Sequence, residues 1–242
     1  MEILAAGHFE NPEDGFGLQQ AVLEEVAAGE RGPAALTWTS SRYLAPTSRE
    51  KRLPGFEKGV EVAHDYGFPV LVRNSGGGAV AANEGSVSFS LTFPVEDLRH
   101  GLYERYAEGV GLISAALRRL GVPAEPGEVA GEFCPGAYSI RSGGEHGVKH
   151  AGLAQRVKRR AARLEALILV SNTAGLVPVL QDFYGALGLP FRPESIADIE
   201  VPVRQVVNAL YDEVQRWYGA TETPLNEESL ARARALRGTW RV

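Results

Sequence analysis

The chain has 242 residues, of which 44% are hydrophobic and 23% are charged, a composition typical of a globular protein and not of a disordered chain. Thirty acidic residues outnumber 25 lysines and arginines, and the net charge of −5 argues against a nucleic-acid partner, which needs a positive field. The single cysteine, Cys134, excludes an internal disulfide and metal sites with two or more thiolates. A lone thiol fits a reducing cytoplasm.

The first ten residues lack the features of an export signal, because Glu2 is acidic and neither a basic segment nor a long apolar stretch follows. The longest apolar runs, such as Ala166–Val170, fall far short of the roughly 18 residues that a membrane span needs, so no membrane partner is expected. The five histidines show no ligand spacing such as His-Glu-x-x-His, so no metal is expected, and His146 and His150 are expected at the surface.

The N-terminal half predicts helices alternating with short strands. Helical spacing of apolar residues predicts a first helix over residues 18–26, with Asp14 as its N-cap. The longest helix is predicted over Leu98–Leu120, where apolar residues recur every three or four positions until Gly121. Runs rich in β-branched and aromatic residues predict strands at Ala34–Thr39, Val70–Arg73 and Ser86–Phe93.

The next segment predicts a β-hairpin and a further strand. Tyr138–Arg141 and a second extended stretch up to about Val157 flank Gly143 and Gly144, and glycine accepts the positive φ that such a turn requires. The further strand is predicted over Leu164–Ser171.

Helical patterns fill the C-terminal part of the chain. A short helix is predicted after Pro178, an amphipathic one from near Pro202, and a last one from near Asn226. Since no repeat or linker interrupts the chain, we expect one α+β domain over residues 1–242, with a helical C-terminal portion over about 178–242.

Three consecutive glycines, Gly76–Gly78, lie within the segment Arg73–Val80. Such runs occur where a ligand approaches the backbone closely or where φ must be positive. Neither a following Gly-Lys-Ser/Thr nor a Gly-x-Gly-x-x-Gly spacing is present, so a phosphate-binding loop is not indicated. A loop without a ligand remains the alternative interpretation.

A lone cysteine is usually a small buried hydrophobic residue. Pro135 and Gly136 mark a turn directly after Cys134, however, which favours an accessible thiol that is able to act as a nucleophile. Lys149 lies among small and apolar residues in Gly147–Arg156, which is unusual for lysine. It is either an exposed strand lysine or, if the hairpin returns it towards Cys134, a cation that polarises a carbonyl or favours a thiolate.

These segments, taken together, resemble the biotin/lipoate protein ligase catalytic-domain family. Arg73–Val80 resembles its Arg-x-Ser-Gly-Gly-Gly-x-Val loop, and Lys149–Gly152 resembles its Lys-x-x-Gly element. The resemblance extends over about residues 18–171. It implies an α+β fold in which helices pack against a mixed β-sheet.

Within the family, Cys134–Tyr138 followed by Lys149 is similar to the cysteine-dependent octanoyltransferases. This implies an acyltransferase, without a cofactor, in which Cys134 takes an octanoyl or lipoyl group as a thioester and Lys149 assists. The implied donor is the octanoylated glycine cleavage H protein or an acyl carrier protein, and the implied acceptor is a lysine of a lipoyl domain of the 2-oxoacid dehydrogenase complexes. The implied substrate-binding residues lie in the two matched segments: Arg73, Ser75, Gly76, Gly77, Gly78, Ala151, Gly152 and Ala154.

The sequence departs from the family pattern at two places. Ser139 stands where an acidic residue is expected after the tyrosine, and Ala161–Leu164 depart from the usual apolar β-like pattern. Two other functions remain open: an ATP-dependent lipoate-protein ligase, in which Lys149 contacts the acyl-adenylate, and a non-catalytic carrier-binding protein.

One segment is basic although the whole chain is acidic. Between Arg141 and Arg163 there are seven lysines and arginines and a single acid, Glu145. This pattern is typical of a solvated face, and it also fits a docking surface for an acidic carrier domain.

Overall fold

The computed structural model describes residues 1–97 and 100–242. Over this part of the chain, ten strands and six α-helices form. The strands are β1 (Glu2–Phe9), β2 (Ala34–Ser40), β3 (Tyr43–Ala45), β4 (Val80–Ala82), β5 (Ser86–Pro94), β6 (Glu125–Pro126), β7 (Ile140–Ser142), β8 (Val148–Lys158), β9 (Ala161–Leu169) and β10 (Thr221–Glu222). The helices are α1 (Pro12–Ala28), α2 (Phe56–Asp65), α3 (Leu102–Arg119), α4 (Val177–Ala186), α5 (Val203–Tyr218) and α6 (Glu227–Ala235).

Eight strands form one mixed sheet in the order β10-β1-β2-β5-β9-β8-β7-β6, and β3 pairs with β4 in a second, two-stranded sheet. β1 runs parallel to β2 and β10, whereas the other neighbours in the large sheet are antiparallel. Because side chains alternate along a strand, the large sheet buries an apolar set on each face. The predicted α+β class, with a mixed sheet packed by helices, is confirmed.

A hydrophobic core lies on each face of the large sheet. One core contains buried residues of α1, α2, α4 and α6, together with the two-stranded sheet. The other core contains buried residues of α3 and α5. The predicted C-terminal helices therefore pack on both faces, with α6 against α1, α4 against α2 and α5 against α3. None of the helices in residues 1–97 and 100–242 is long and apolar enough to cross a bilayer.

The elements with clear periodicity form where they are predicted. The hairpin turn uses Gly143 and Gly144 at φ 78° and 72°, and α5 and α6 begin directly after Pro202 and Asn226. α3 matches the longest predicted helix, although the predicted first residue, Leu98, lies outside the described residues.

Other expectations are wrong at the level of local interactions. The N-cap of α1 is Asn11, whose side chain accepts the N–H of Glu13, and not Asp14. The segment Val70–Arg73 makes only isolated bridges and is not a regular strand. β9 begins at Ala161, so the residues that depart from the family pattern are nevertheless strand residues.

β1 and α2 were not predicted. β1 is held by parallel pairing with β2 and β10, which are distant in sequence. α2 buries only Phe56, Gly59 and Ala63, and Gly59 brings it so close to Phe183 of α4 that a Cβ there would lie 2.9 Å from that ring. β1 shows no regular alternation of apolar residues, whereas Phe56, Val60 and Ala63 of α2 lie at helical spacing, a signal that was overlooked.

Candidate active site

The glycine loop, Arg73–Val80, and the cysteine loop, Glu132–Gly136, meet at the sulfur atom of Cys134. Cys134 Sγ accepts the backbone N–H of Gly78 at 3.0 Å and an N–H of Arg73 Nη2 at 3.4 Å. Cys134 is partly exposed. Donors directed at sulfur stabilise the anionic form of a thiol, which is its nucleophilic form.

Lys149 binds the cysteine loop through hydrogen bonds from its ammonium group. Its side chain is fully buried, so the interpretation as an exposed strand lysine is wrong. Nζ donates to the main-chain oxygens of Phe133 and Cys134 at 2.9 and 3.0 Å and to Glu132 Oε1 at 3.2 Å. An ammonium has three N–H groups, and all three are thus directed at the loop that carries the thiol.

A β-bulge in β8 aims Lys149 at this loop. Ile140 pairs with Ala151 and Arg141 pairs with Lys149, so the register shifts at His150. Such a bulge changes the face to which neighbouring side chains point. Ala151 consequently lies in the hydrophobic core on the opposite face, away from the loop. His150 is buried, contrary to the expectation of a surface residue, and burial lowers its pKa.

Glu132 is the counterion of Lys149 and is itself only 1% exposed. Its carboxylate accepts the N–H of Val129 at 3.1 Å, the hydroxyl of Ser139 at 2.5 Å and the N–H of Gly136 at 3.3 Å. A buried ion pair is tolerated when such hydrogen bonds satisfy its remaining lone pairs. Ser139, which replaces the expected acid, therefore donates to an acid that is already present in the loop.

Cys134 has a left-handed backbone conformation, with φ 45°, which costs a non-glycine residue about 1–2 kcal/mol. Its N–H donates to the hydroxyl oxygen of Tyr184 at 2.7 Å, and that hydroxyl donates to the main-chain oxygen of Ala79 at 2.7 Å. Burial, followed by the charge of Cys134, raises the pKa of Tyr184. Tyr184, from α4, thereby joins the cysteine loop to the glycine loop.

Replacing Tyr184 with phenylalanine is expected to lower the free energy of unfolding by about 1–3 kcal/mol, because it leaves a buried N–H and a buried carbonyl without partners. Tyr66→Phe is the matched control, since the Tyr66 hydroxyl bonds only the exposed Asp182. Its expected effect is within about 0.5 kcal/mol. Urea unfolding of both variants makes the comparison, and equal losses would show that Tyr184 does not join the two loops.

Gly77 is the glycine of the loop that no other residue can replace without strain. Its φ is +90°, and a Cβ built there lies 2.7 Å from Cys134 Sγ and 2.9 Å from Arg73 Nη2. A Cβ at Gly76 meets nothing within 4 Å. The absence of a side chain at Gly77 therefore lets the guanidinium and the thiol approach each other.

Glu165 of β9 anchors Arg73 and was missed in the sequence. It lies 3.6 Å from Arg73 and 2.7 Å from Arg163, and it accepts a hydrogen bond from Ser75. Burial alone would raise the pKa of Glu165, but Arg163, Arg73 and the Ser75 hydroxyl outweigh this and lower it. An acid two residues after Arg163 within a mainly apolar strand was the signal that could have identified it.

A cavity extends from Cys134 into the core that contains residues of α1, α2, α4 and α6. It is narrow, with an internal volume of about 50 Å³. Of the residues expected to bind substrate, Arg73, Gly152 and Ala154 line it, whereas Ala151 does not, and their role in binding stays a prediction. Its walls are mainly apolar and aromatic, and include Phe16, Trp38, Tyr43, Ala45, Val80 and Leu167. Such a lining suits an extended hydrocarbon chain.

The basic segment between Arg141 and Arg163 exposes fewer positive charges than its composition implies. Four of its seven cations form ion pairs within the chain: Arg141 with Glu125, Lys149 with Glu132, Lys158 with Glu24, and Arg163 with Glu165. The exposed Arg156, Arg159 and Arg160 lie at and near the β8–β9 turn. The docking surface for an acidic carrier domain stays a prediction, and the exposed cations available to it are fewer than the composition implies.

Residues 11–218 match the lipoyl protein ligase A/B catalytic domain family, and the chain belongs to this family. Among solved structures, similar folds include a lipoate-protein ligase A bound with ATP, with a TM-score of 0.77, 20% identity and coverage of 97% of this chain and 93% of that one. Another is the bipartite lipoate protein ligase of Thermoplasma acidophilum, with a TM-score of 0.71, 18% identity and coverage of 97% and 91%.

Relatives of higher identity carry the name octanoyl-[GcvH]:protein N-octanoyltransferase. That of Geobacillus kaustophilus is 29% identical over 170 residues, which are 70% of this chain and 59% of that protein. That of Bacillus velezensis is 29% identical over 91% of this chain and 84% of its own length. That of Kyrpidia tusciae is 36% identical over 77% of this chain and 60% of its own length. The matched region thus spans about three fifths of two of these three relatives.

Proposed function

We propose that this protein transfers an octanoyl or lipoyl group between carrier proteins through a thioester on Cys134. The donor is the octanoylated glycine cleavage H protein, and the acceptor is a lysine of a lipoyl domain of a 2-oxoacid dehydrogenase complex. The names of the relatives support this donor. The observation that carries the proposal is a partly exposed thiol, bound by two N–H donors, at the mouth of an apolar cavity.

The first step transfers the acyl group to the enzyme. The thiolate of Cys134 attacks the carbonyl carbon of the octanoyl-lysine amide, and a C–S bond forms. The C–N bond then breaks, and the lysine amine of the donor leaves with a proton taken from water. Since one amide is exchanged for another over the complete cycle, no ATP is required.

The second step transfers the acyl group to the acceptor. The uncharged ε-amine of the acceptor lysine attacks the thioester carbonyl, its proton passes to water, and the C–S bond breaks to restore the thiolate. Dividing the transfer into two steps lets two bulky carrier proteins use the same site in turn. The thiol has to stay reduced between cycles, which fits a reducing cytoplasm.

The glycine loop supplies donors for the oxygen that becomes negative in each step. We assign this role to the N–H groups of the exposed Gly76 and Gly77, because the Cβ position of Gly77 lies 2.7 Å from the sulfur, and one such donor contributes about 3–4 kcal/mol. Lys149, predicted as a catalytic residue, acts here as a positioning residue because its ammonium binds the loop carbonyls. Gly152 and Ala154 keep the acyl cavity open because they are small.

Intact mass spectrometry tests the proposal. The wild-type protein is incubated with octanoylated H protein without ATP, with octanoylated acyl carrier protein without ATP, and with free octanoate plus ATP. We expect one octanoyl group on the protein in the first incubation, and peptide mapping should locate it on Cys134.

The other incubations identify the competing functions. An adduct with acyl carrier protein alone would replace the proposed donor. Lipoyl-domain modification only with octanoate and ATP would establish a ligase. Tight binding of lipoyl domains with no adduct in any incubation would indicate a carrier-binding protein and overturn the proposal.

A further inference from the structure

Two buried cations lie near Cys134, but only one of them contacts its sulfur. Lys149 Nζ has its three hydrogen-bond partners on Glu132, Phe133 and Cys134, and each of them is an oxygen. Arg73 Nη2 lies 3.4 Å from Sγ and donates also to the main-chain oxygen of Gly78 at 2.6 Å. The sequence pattern implied the opposite assignment, with Lys149 at the reacting atoms and Arg73 among the substrate-binding residues.

We propose that Arg73 is the cation that stabilises the Cys134 thiolate, with the Gly78 N–H as its second donor, and that Lys149 positions the loop. The inference rests on the proposed function in that the thiolate is the nucleophile of both steps. Arg73 is then a catalytic residue, because it contacts the reacting sulfur.

The surroundings of Arg73 leave its charge available to the sulfur. Glu165, its nearest carboxylate, lies closer to Arg163 than to Arg73, at 2.7 and 3.6 Å, and also binds the Ser75 hydroxyl. One carboxylate therefore faces two guanidinium groups. A thiolate at Cys134 supplies the negative charge that balances this cluster.

The other ionisable groups packed around the cysteine loop have partners of their own. Glu132 is bound by Lys149. Glu50 accepts the N–H and the hydroxyl of Thr47 at 2.8 and 2.6 Å. The raised pKa of Tyr184 keeps its hydroxyl protonated, so it adds no charge. Arg73 is consequently the one cation within hydrogen-bond reach of Sγ among residues 1–97 and 100–242.

The single cysteine of the chain makes the inference directly measurable. Iodoacetamide reacts with thiolates, so the rate at which the intact mass increases reports Cys134 alone. This rate would be measured from pH 5 to 10 for wild type, Arg73→Gln and Arg73→Lys. Arg163→Gln is the matched control, because it removes a cation of the same cluster that does not contact the sulfur.

We expect Arg73→Gln to lower the alkylation rate at pH 7 about tenfold, the loss that corresponds to one charge-assisted hydrogen bond. The rate profile should move to higher pH and reach an undiminished plateau. Arg73→Lys keeps the charge and should recover part of the rate. Arg163→Gln leaves Arg73 in contact with the sulfur but gives it a larger share of Glu165, so it should lower the rate less than Arg73→Gln does. Circular dichroism identifies variants that fail to fold. If Arg73→Gln does not fold, Arg73→Lys is compared with Arg163→Gln instead.

Equal profiles for Arg73→Gln and Arg163→Gln would overturn the inference, as would a folded Arg73→Lys with the profile of Arg73→Gln. Alkylation needs no acyl donor, so this result is separate from the proposed function. A shifted profile in a protein that forms no octanoyl adduct would refute the acyl transfer and leave the role of Arg73 standing. Adduct formation at the wild-type rate in Arg73→Gln would refute the role of Arg73 alone.

Discussion

Cys134→Ala is expected to reduce ATP-independent octanoyl transfer at least a thousandfold, which corresponds to about 4 kcal/mol in the activation barrier. The substitution removes the atom that forms the acyl bond, and the chain has no second cysteine to replace it. Since alanine is smaller and the site is partly exposed, the cavity and the loops should keep their structure. Transfer from octanoylated H protein to a lipoyl domain, followed by the mass of the acceptor, measures the loss.

Two controls make this result interpretable. Thermal unfolding of Cys134→Ala should lie within a few degrees of wild type, because the lost sulfur is small, only partly buried and bound by two N–H groups. Cys134→Ser retains a hydrogen-bond acceptor at the same place but is a much weaker nucleophile at neutral pH, so it should also be inactive. Transfer at more than a tenth of the wild-type rate in a folded Cys134→Ala protein would refute the thioester.

Lys149→Met is expected to lower the free energy of unfolding by about 3–5 kcal/mol, the cost of leaving one member of a buried ion pair without its partner. The change preserves much of the side-chain length, but it leaves Glu132 and two main-chain oxygens without the ammonium. Urea unfolding measures the loss. Acylation of Cys134 should fall as well, since the loop that positions the sulfur loses its support.

Matched variants distinguish the stability lost with the buried ion pair from the stability lost with a surface charge. Lys158→Met removes a lysine whose partner, Glu24, is exposed, and it should cost less than about 1 kcal/mol. Adding Glu132→Gln to Lys149→Met removes the uncompensated charge, so it should restore part of the stability without restoring acylation. Equal losses for Lys149→Met and Lys158→Met would show that the buried ion pair does not stabilise the loop.

The sequence predicted those parts of the fold that local patterns control. Alternating apolar residues identify β5, helical spacing identifies α5, and two glycines identify the hairpin turn, because each pattern follows from the geometry of a single element. The two segments that meet at Cys134 were also identified. Their meeting was an expectation based on the hairpin and the family resemblance, since spacing along the chain does not show which side chain reaches the sulfur.

The unpredicted features depend on contacts between distant parts of the chain. Tyr184 serves the site through hydrogen bonds to residues that lie 50 and 105 positions away. Lys149 points to the cysteine loop because of a bulge at His150, and regular alternation would have sent it to the face that Ala151 occupies. A shift of one residue reverses the two faces of a strand, and the sequence carries no local mark of it.

The hydrogen bonds of Tyr184 determine when, during synthesis of the chain, the active site is able to form. Ala79, Cys134 and Tyr184 belong to three distant segments, and Tyr184 lies beyond the last long strand, β9. A nascent chain on the ribosome therefore synthesises both reactive loops well before the residue that bridges them. The bridge needs α4, so Cys134 reaches this geometry only after the chain has been synthesised beyond Tyr184 and α4 has packed against α2.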